Sequence, residues 1–127
     1  MRKETKNWWE QAKEDLKAAK INYDHKVYYV ASFLSQQAAE KALKAVLLES
    51  GLKIPRVHDI TFLAKETGLD ESLFSKCATL TKVYVKTRYP DFFDERPSHS
   101  FTKELASEHI TFAEEILAWV EKKISIN

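Results

Sequence analysis

Apolar residues recur every three or four positions through most of the chain, the spacing of helices that bury one face. The first helix is predicted from about Thr5 to Tyr23. Its stripe consists of Ala12, Leu16, Ala19 and Tyr23. Because Trp8 and Trp9 are adjacent in this helix, they cannot both point into one core. One of the two is therefore a candidate contact for a partner chain.

The second predicted helix, Val27 to Glu49, is apolar almost all round. Its polar residues form one narrow strip that consists of Gln37, Glu40, Lys41 and Lys44. A helix with this pattern lies in the middle of a bundle or in an oligomer interface. The pattern therefore favours a homodimer or another partner at this helix.

Three further helices are predicted in the second half. A short one spans about Asp59 to Thr67 and ends at Gly68, and Asp70 is a suitable N-cap for a longer helix that ends before Pro90. Ser100 is the expected N-cap of the last helix, which runs to about Ile124. The predicted fold is all-α: one domain over residues 1–127, an antiparallel up-and-down bundle of four long helices plus one short helix.

Composition narrows the function classes. Two glycines and three prolines are too few for the turns of a β-sandwich or barrel, and no glycine-rich phosphate loop occurs. The net charge of +1 argues neither for nor against nucleic acid. The one cysteine, Cys77, cannot form an internal disulfide and is expected to be buried. With no signal core and no membrane-length apolar run, a cytoplasmic location without membrane contact is predicted.

The histidines offer no recognisable metal site. None of the four lies four residues from another, and the repeated Glu-x-x-His pairs of di-iron bundles are missing. No metal or other cofactor is expected. His109 is expected to be packed and hydrogen-bonded, and His58 is expected to serve as a cap or an inter-helix hydrogen bond.

The fourth helix carries positive charge only. Between Ser72 and Pro90 it has four cations and no acid: Lys76, Lys82, Lys86 and Arg88. Lys82 and Lys86 are one turn apart and share a face. Such a face is either a solvated surface that complements the helix C-terminus or a ridge that contacts phosphate.

The irregular segment from Arg88 to Ser100 is the candidate catalytic region. Arg88, Arg96 and His99 bracket it. A guanidinium that grips phosphate and an imidazole that titrates near neutrality together suit phosphodiester chemistry. Alternatively, the segment is a connector whose arginines pair with acids nearby: Asp91, Asp94 and Glu95.

Three segments resemble proteins of the HEPN-domain family. They are the stretch from Phe33 to Leu47 (FLSQQAAEKALKAVL), the run Arg56-Val57-His58-Asp59-Ile60, and Tyr84 followed by Arg88-Tyr89-Pro90-Asp91. The likeness spans Trp8 to about Val120. It implies a helical bundle that commonly forms a homodimer and is often encoded beside a minimal nucleotidyltransferase, in pairs that behave as toxin and antitoxin. The family name records a proposed nucleotide-binding role, and many members are metal-independent ribonucleases with an Arg, four to six residues, then His.

This chain departs from that ribonuclease spacing. Two residues separate Arg96 from His99, ten separate Arg88 from His99, and one separates Arg56 from His58. The first hypothesis is therefore a module without catalysis that pairs with a nucleotidyltransferase and binds nucleotide or RNA phosphate. Its candidate ligand-binding residues are Lys82, Tyr84, Lys86, Arg88 and Tyr89.

Two alternatives stay open. One is a metal-independent ribonuclease in which Arg88 or Arg96 clamps the phosphate and His99 acts as acid and base. The other is a structural adaptor in which Lys82 and Lys86 only add solubilising charge.

Overall fold

The computed structural model describes residues 1–89 and 95–125, and most of them are helical. The helices are α1 (Lys3–Asp24), α2 (Tyr28–Glu49), α3 (Ile60–Thr67), α4 (Phe74–Arg88), α5 (Pro97–Ser100) and α6 (Lys103–Ser125), and a 3-10 turn (Glu71–Leu73) precedes α4. No strand occurs within these described ranges. The predicted all-α class, with four long helices, is confirmed, and the single turn α5 is an addition to it.

Helix α2 occupies the centre of the bundle. It packs against α1, α3, α4 and α6, and most of its residues between Ala31 and Leu47 are buried. Its apolar side chains share one core with Trp9, Leu63, Leu80 and Ile116. Packing inside one chain therefore accounts for the apolar character of α2 without a second chain.

The expected caps of the middle helices are present. The Asp59 side chain accepts hydrogen bonds from the backbone N–H groups of Thr61 at 2.9 Å and Phe62 at 3.4 Å, and so caps α3. Gly68 ends α3 at a φ of 74°, a left-handed conformation that glycine adopts without a Cβ clash. Asp70 accepts from the Ser72 N–H at 3.0 Å, but the element it caps is the 3-10 turn, and α4 begins only at Phe74.

The predicted start of the last helix at Ser100 was wrong. Pro97 begins the separate turn α5, because its fixed φ suits the first position of a helix. The buried Phe101 then takes an extended conformation that interrupts the helix. The Thr102 hydroxyl caps α6 by accepting from the Leu105 N–H at 3.1 Å. The Ser100 hydroxyl oxygen is buried and has no hydrogen-bond partner among the described residues.

The tryptophan and cysteine expectations have clear outcomes. Trp9 is buried in the core, whereas Trp8 is only partly buried and its ring centre lies 5.8 Å from Lys44 Nζ. Cys77 is fully buried, and burial raises the pKa of its thiol to about 12, so the reactive thiolate is disfavoured. None of the described helices is both long and apolar enough to span a bilayer.

Candidate functional site

Helix α4 carries the predicted ligand-binding residues on two different faces. At about 100° per residue, Tyr84 and Arg88 lie about 40° apart, and so do Lys82 and Lys86. The two pairs point about 160° apart around the helix axis. The structure therefore separates the candidates into a lysine face and a tyrosine–arginine face, and each has its own surroundings.

The lysine face borders an open groove of about 450 Å³, hereafter the lysine groove, lined by Thr81, Lys82, Val85 and Lys86. Lys76, which precedes it on α4, is engaged elsewhere in an ion pair with Glu115 of α6. The ammonium group of Lys86 lies 5.3 Å from the ring centre of Phe101. Two cations one turn apart at the edge of a groove are suited to contact anionic groups.

His109 lies beside the lysine groove, on α6. It lines a smaller cavity together with Lys82, Lys86 and Phe101. This residue is 4% exposed, and its Nδ1 is 2.8 Å from the Ser32 hydroxyl. Burial, and secondarily the charge of Lys86, lowers the pKa of His109 to about 4. At neutral pH it is therefore uncharged. Its packed, hydrogen-bonded position agrees with the expectation from the sequence.

The structure brings together two of the three candidate catalytic residues. Arg96 Nη2 lies 2.6 Å from His99 Nε2 on α5, and both side chains are exposed. Because a guanidinium can only donate, His99 Nε2 accepts this bond as a neutral imidazole. The lone pair that would take up a proton is thus occupied. The acids Asp91 and Asp94 of the connector interpretation lie outside the described residues.

Inside the bundle, His58 makes the hydrogen bond to another helix that the sequence offered as one of two roles, but the polar cluster that it joins was not predicted. The carboxylate of Glu40, on α2, accepts three hydrogen bonds of 3.0 Å: from Lys44 Nζ, Gln36 Nε2 and His58 Nδ1. Glu40 is 4% exposed and Lys44 is 5% exposed. The i, i+4 spacing of Gln36, Glu40 and Lys44 could have suggested the bonds within α2, but only the fold places His58 beside them.

Tyr84 extends this cluster to the surface. The rings of His58 and Tyr84 are stacked, with centres 4.3 Å apart and an interplanar angle of 15°. Arg88 Cζ lies 5.4 Å from the centre of the Tyr84 ring. Burial raises the pKa of Tyr84, so its hydroxyl stays protonated. Glu40, Lys44, His58, Tyr84 and Arg88 thus form one connected set, hereafter the polar cluster.

No donor set for a metal ion is apparent in the part of the chain that the structure describes. No three side chains of His, Cys, Asp or Glu converge there. The chemistry available at both faces of α4 is that of cations, hydroxyls and imidazoles, which are groups that bind phosphate.

Comparison with known proteins agrees with this architecture. The chain matches the HEPN domain over residues 5–123. It is 34% identical over 121 residues to a Methanocaldococcus jannaschii protein named "Putative toxin MJ1304", covering 84% of this chain and 79% of that protein.

Solved structures are similar over almost the whole chain. The crystal structure of TT1696 from Thermus thermophilus is 33% identical with a TM-score of 0.89, and the match covers 96% of this chain and 99% of that one. ST0689, described as an archaeal HEPN homologue, is 35% identical with a TM-score of 0.84, with coverage of 98% and 99%. The extent and identity of these matches show that this chain belongs to the HEPN-domain family.

Proposed function

We propose that this chain is the HEPN member of a toxin–antitoxin-like pair and that its lysine groove binds the phosphate groups of a nucleotide or RNA. The observation that carries the proposal is the placement of Lys82 and Lys86 one turn apart at a groove of about 450 Å³. That volume lies within the range of about 300–1,000 Å³ that small-molecule sites occupy. The toxin name of the M. jannaschii relative supports the pairing.

Local charge also supports phosphate binding at this face. No acid occurs between Ser72 and Pro90, so this segment of the sequence carries only positive formal charge. Lysine ammonium groups bind phosphate as point charges and tolerate many ligand orientations. Such a groove suits a backbone contact that does not depend on base sequence.

Equilibrium binding to a fluorescently labelled single-stranded RNA and to AMP tests the proposal. The Lys82→Ala/Lys86→Ala double variant is expected to bind RNA at least about tenfold more weakly, since two phosphate contacts are lost. The matched control is Lys13→Ala/Lys17→Ala, which removes the same charge at the same spacing from α1. The control is expected to change binding less than about twofold. Equal losses in both variants would mean that only bulk charge matters and would contradict the proposal.

The proposed partners are a nucleotidyltransferase and a second copy of this chain. Large apolar side chains that remain exposed are available for association: Ile21, Leu52 and Phe62. Co-expression with the nucleotidyltransferase encoded nearest to this gene tests the first partner by co-purification. Light scattering of the purified chain tests the second, and a concentration-independent monomer mass would contradict the homodimer.

A metal-independent ribonuclease is the second candidate, favoured by the contact between Arg96 and His99. A bound phosphate would draw the Arg96 guanidinium away from His99. The Nε2 atom of His99 would then be available to take the proton of the 2′-hydroxyl. The 2′-oxygen then attacks phosphorus, the bond from phosphorus to the 5′-oxygen breaks, and the protonated His99 gives its proton to that oxygen, which yields a 2′,3′-cyclic phosphate and a 5′-hydroxyl. RNA cleavage in excess chelator that is lost in His99→Ala and in either Arg96→Ala or Arg88→Ala would establish this function.

A third outcome would indicate a structural adaptor. In that case neither RNA nor AMP would raise the melting temperature above the effect of added salt, and no variant of the lysine groove would alter that result.

A further inference from the structure

The geometry points to a second phosphate site, formed by His58 and Arg88 around Tyr84, that takes a nucleotide or a segment of single-stranded RNA. The inference rests on the proposed function, because it adds a ligand contact to a chain already proposed to bind nucleotide or RNA phosphate. It places that contact in the polar cluster, on the face of α4 away from the lysine groove.

The His58 imidazole is held with one nitrogen inward and one outward. Its Nδ1 bonds to Glu40, and its side chain is nevertheless 49% exposed. Stacking on Tyr84 restricts rotation of the ring. Because Nδ1 and Nε2 lie at different edges of the ring, the bond to Glu40 leaves Nε2 for a ligand. When the ring carries both protons, Nδ1–H donates to Glu40 and Nε2–H is left to donate to a phosphate oxygen.

The hydrogen bond between His58 and Glu40 orients the imidazole, whereas the carboxylate does not need this bond to have its oxygens paired. Both oxygens of Glu40 already accept a hydrogen bond from α2 itself, one from Gln36 and the other from Lys44. Removing His58 would therefore leave neither oxygen unpaired. A purely structural role for His58 would be redundant, whereas a positioning role for Glu40 explains the arrangement.

Arg88 supplies the second donor. It is exposed at the end of α4, and it forms no ion pair with any residue in the ranges 1–89 and 95–125. The Tyr84 ring restricts the guanidinium of Arg88. A guanidinium is well suited to bind phosphate through two parallel hydrogen bonds. Arg88 and His58 both lie against the Tyr84 ring, at 5.4 Å and 4.3 Å from its centre, and the inferred ligand bridges these two donors.

The surroundings of Arg88 favour a nucleotide over a bare phosphate. Arg88 also lines a groove of about 370 Å³ with Tyr29, Val30, Phe33 and Thr87. Tyr29 and Phe33 are one turn apart on α2, and aromatic rings of this kind stack on nucleobases without regard to their identity. Glu40 and Lys44 carry opposite charges, so the positive charge within the polar cluster is that of Arg88, and of His58 when it is protonated.

Nuclear magnetic resonance of the four histidine rings tests the site, since each ring lies in a different environment. His58 reports the polar cluster, His99 reports the Arg96 contact, His109 reports the lysine groove, and the exposed His25 is the internal control. The probes are inorganic phosphate, AMP and a short single-stranded oligoribonucleotide, each added at fixed pH and ionic strength. The His58 signal is assigned as the one that disappears in His58→Gln.

The expected result is a saturable shift of the His58 signal with AMP and the oligoribonucleotide, at lower concentrations than with inorganic phosphate. Arg88→Ala is expected to raise the midpoint about tenfold, whereas Lys65→Ala, an equal charge change on the neighbouring α3, leaves it unchanged. The Glu40→Met/Lys44→Met double variant, which removes the acceptor of the Nδ1–H bond without leaving a buried charge, is expected to weaken the His58 response because the ring is no longer held.

Each other outcome overturns the inference. A stationary His58 signal while His109 moves would remove this site and leave the lysine groove as the binding site. Stationary signals at all four histidines would remove both proposals. A His58 shift that Arg88→Ala does not affect would show that the two residues do not form one site.

Discussion

Two ion pairs of equal length differ completely in their surroundings. Lys44 Nζ lies 3.0 Å from Glu40 inside the bundle, with side-chain exposures of 6% and 5%. Lys20 Nζ also lies 3.0 Å from Glu114, between α1 and α6, but those side chains are 50% and 45% exposed. Water screens the second pair and not the first. Burial, and not distance, is therefore expected to decide what each of these ion pairs contributes to stability.

The same contrast separates the two proposed phosphate sites. The lysine groove presents flexible cations on a surface, where contacts are easily formed and depend little on ligand geometry. In the polar cluster, the buried carboxylate of Glu40 forms a hydrogen bond with His58 Nδ1 and so fixes the orientation of the imidazole. The first arrangement suits attraction of a polyanion, and the second suits an oriented contact with one phosphate.

The largest expected effect follows from breaking the buried pair. Lys44→Ala leaves the Glu40 carboxylate buried with less compensation and is expected to lower the free energy of unfolding by about 3–5 kcal/mol. The exposed counterpart Lys20→Ala is expected to lower it by less than about 1 kcal/mol. Urea unfolding of both variants measures the difference.

Replacing both members of the buried pair sharpens the comparison. The Glu40→Met/Lys44→Met double variant keeps similar volume without any buried charge and is expected to be about as stable as the wild type. Its His58 signal is nevertheless expected to lose its response to AMP. Similar losses of stability in Lys44→Ala and Lys20→Ala would contradict the claim that the buried ion pair contributes more to stability than the exposed one.

The next largest effect is pH dependence from His109. Its pKa is about 4 in the folded chain against 6.5 for an unperturbed histidine, mainly because the ring is buried. Between these values the unfolded chain binds a proton that the folded chain does not, so stability falls as pH falls. This group alone is expected to lower the free energy of unfolding by about 2 kcal/mol from pH 7 to pH 5.

Variants at two histidines isolate that contribution. His109→Gln is expected to remove most of the loss between pH 7 and pH 5, although it lowers stability at pH 7 through the changed contact with Ser32. His25→Gln, at an exposed position, is expected to leave the loss intact. An unchanged pH dependence in His109→Gln, measured by urea unfolding at both pH values, would contradict a buried neutral His109.

The smallest expected effect concerns the cap of α3. Asp59→Ala removes the acceptor for two backbone N–H groups and is expected to lower the free energy of unfolding by about 1 kcal/mol. Asp59→Asn, which keeps a capping oxygen, is expected to restore most of that loss. Equal stabilities of the Ala and Asn variants in urea would show that the cap bonds contribute nothing measurable.

Helix positions were predictable because they depend on local pattern. The stripe that ends at Tyr23 and the glycine at Gly68 place helix ends within one or two residues of those observed. The start of α6 was not predictable in the same way. Ser100 is as good a cap as Thr102 by residue type, and the choice depends on burial of Phe101 and on the extra turn begun at Pro97.

The candidate site was predictable only in part, for a related reason. Lys82 and Lys86 stand out in the sequence because a shared helix face follows from spacing alone. The polar strip of α2 is also visible, but periodicity cannot show that Glu40 meets His58, since these residues come together only through packing of α2 against α3 and α4. Burial of a charge is a property of the fold and has no local signature.

The salt dependence of RNA binding tests the central claim, phosphate binding by the lysine groove, most directly. For single strands, the slope of log K against log salt concentration is about −0.7 per phosphate contact. Lys82→Ala/Lys86→Ala is therefore expected to make the slope shallower by about 1.4, and the Lys13→Ala/Lys17→Ala control is expected to leave it unchanged. An identical slope in the wild type and the groove variant would show that these lysines do not contact phosphate.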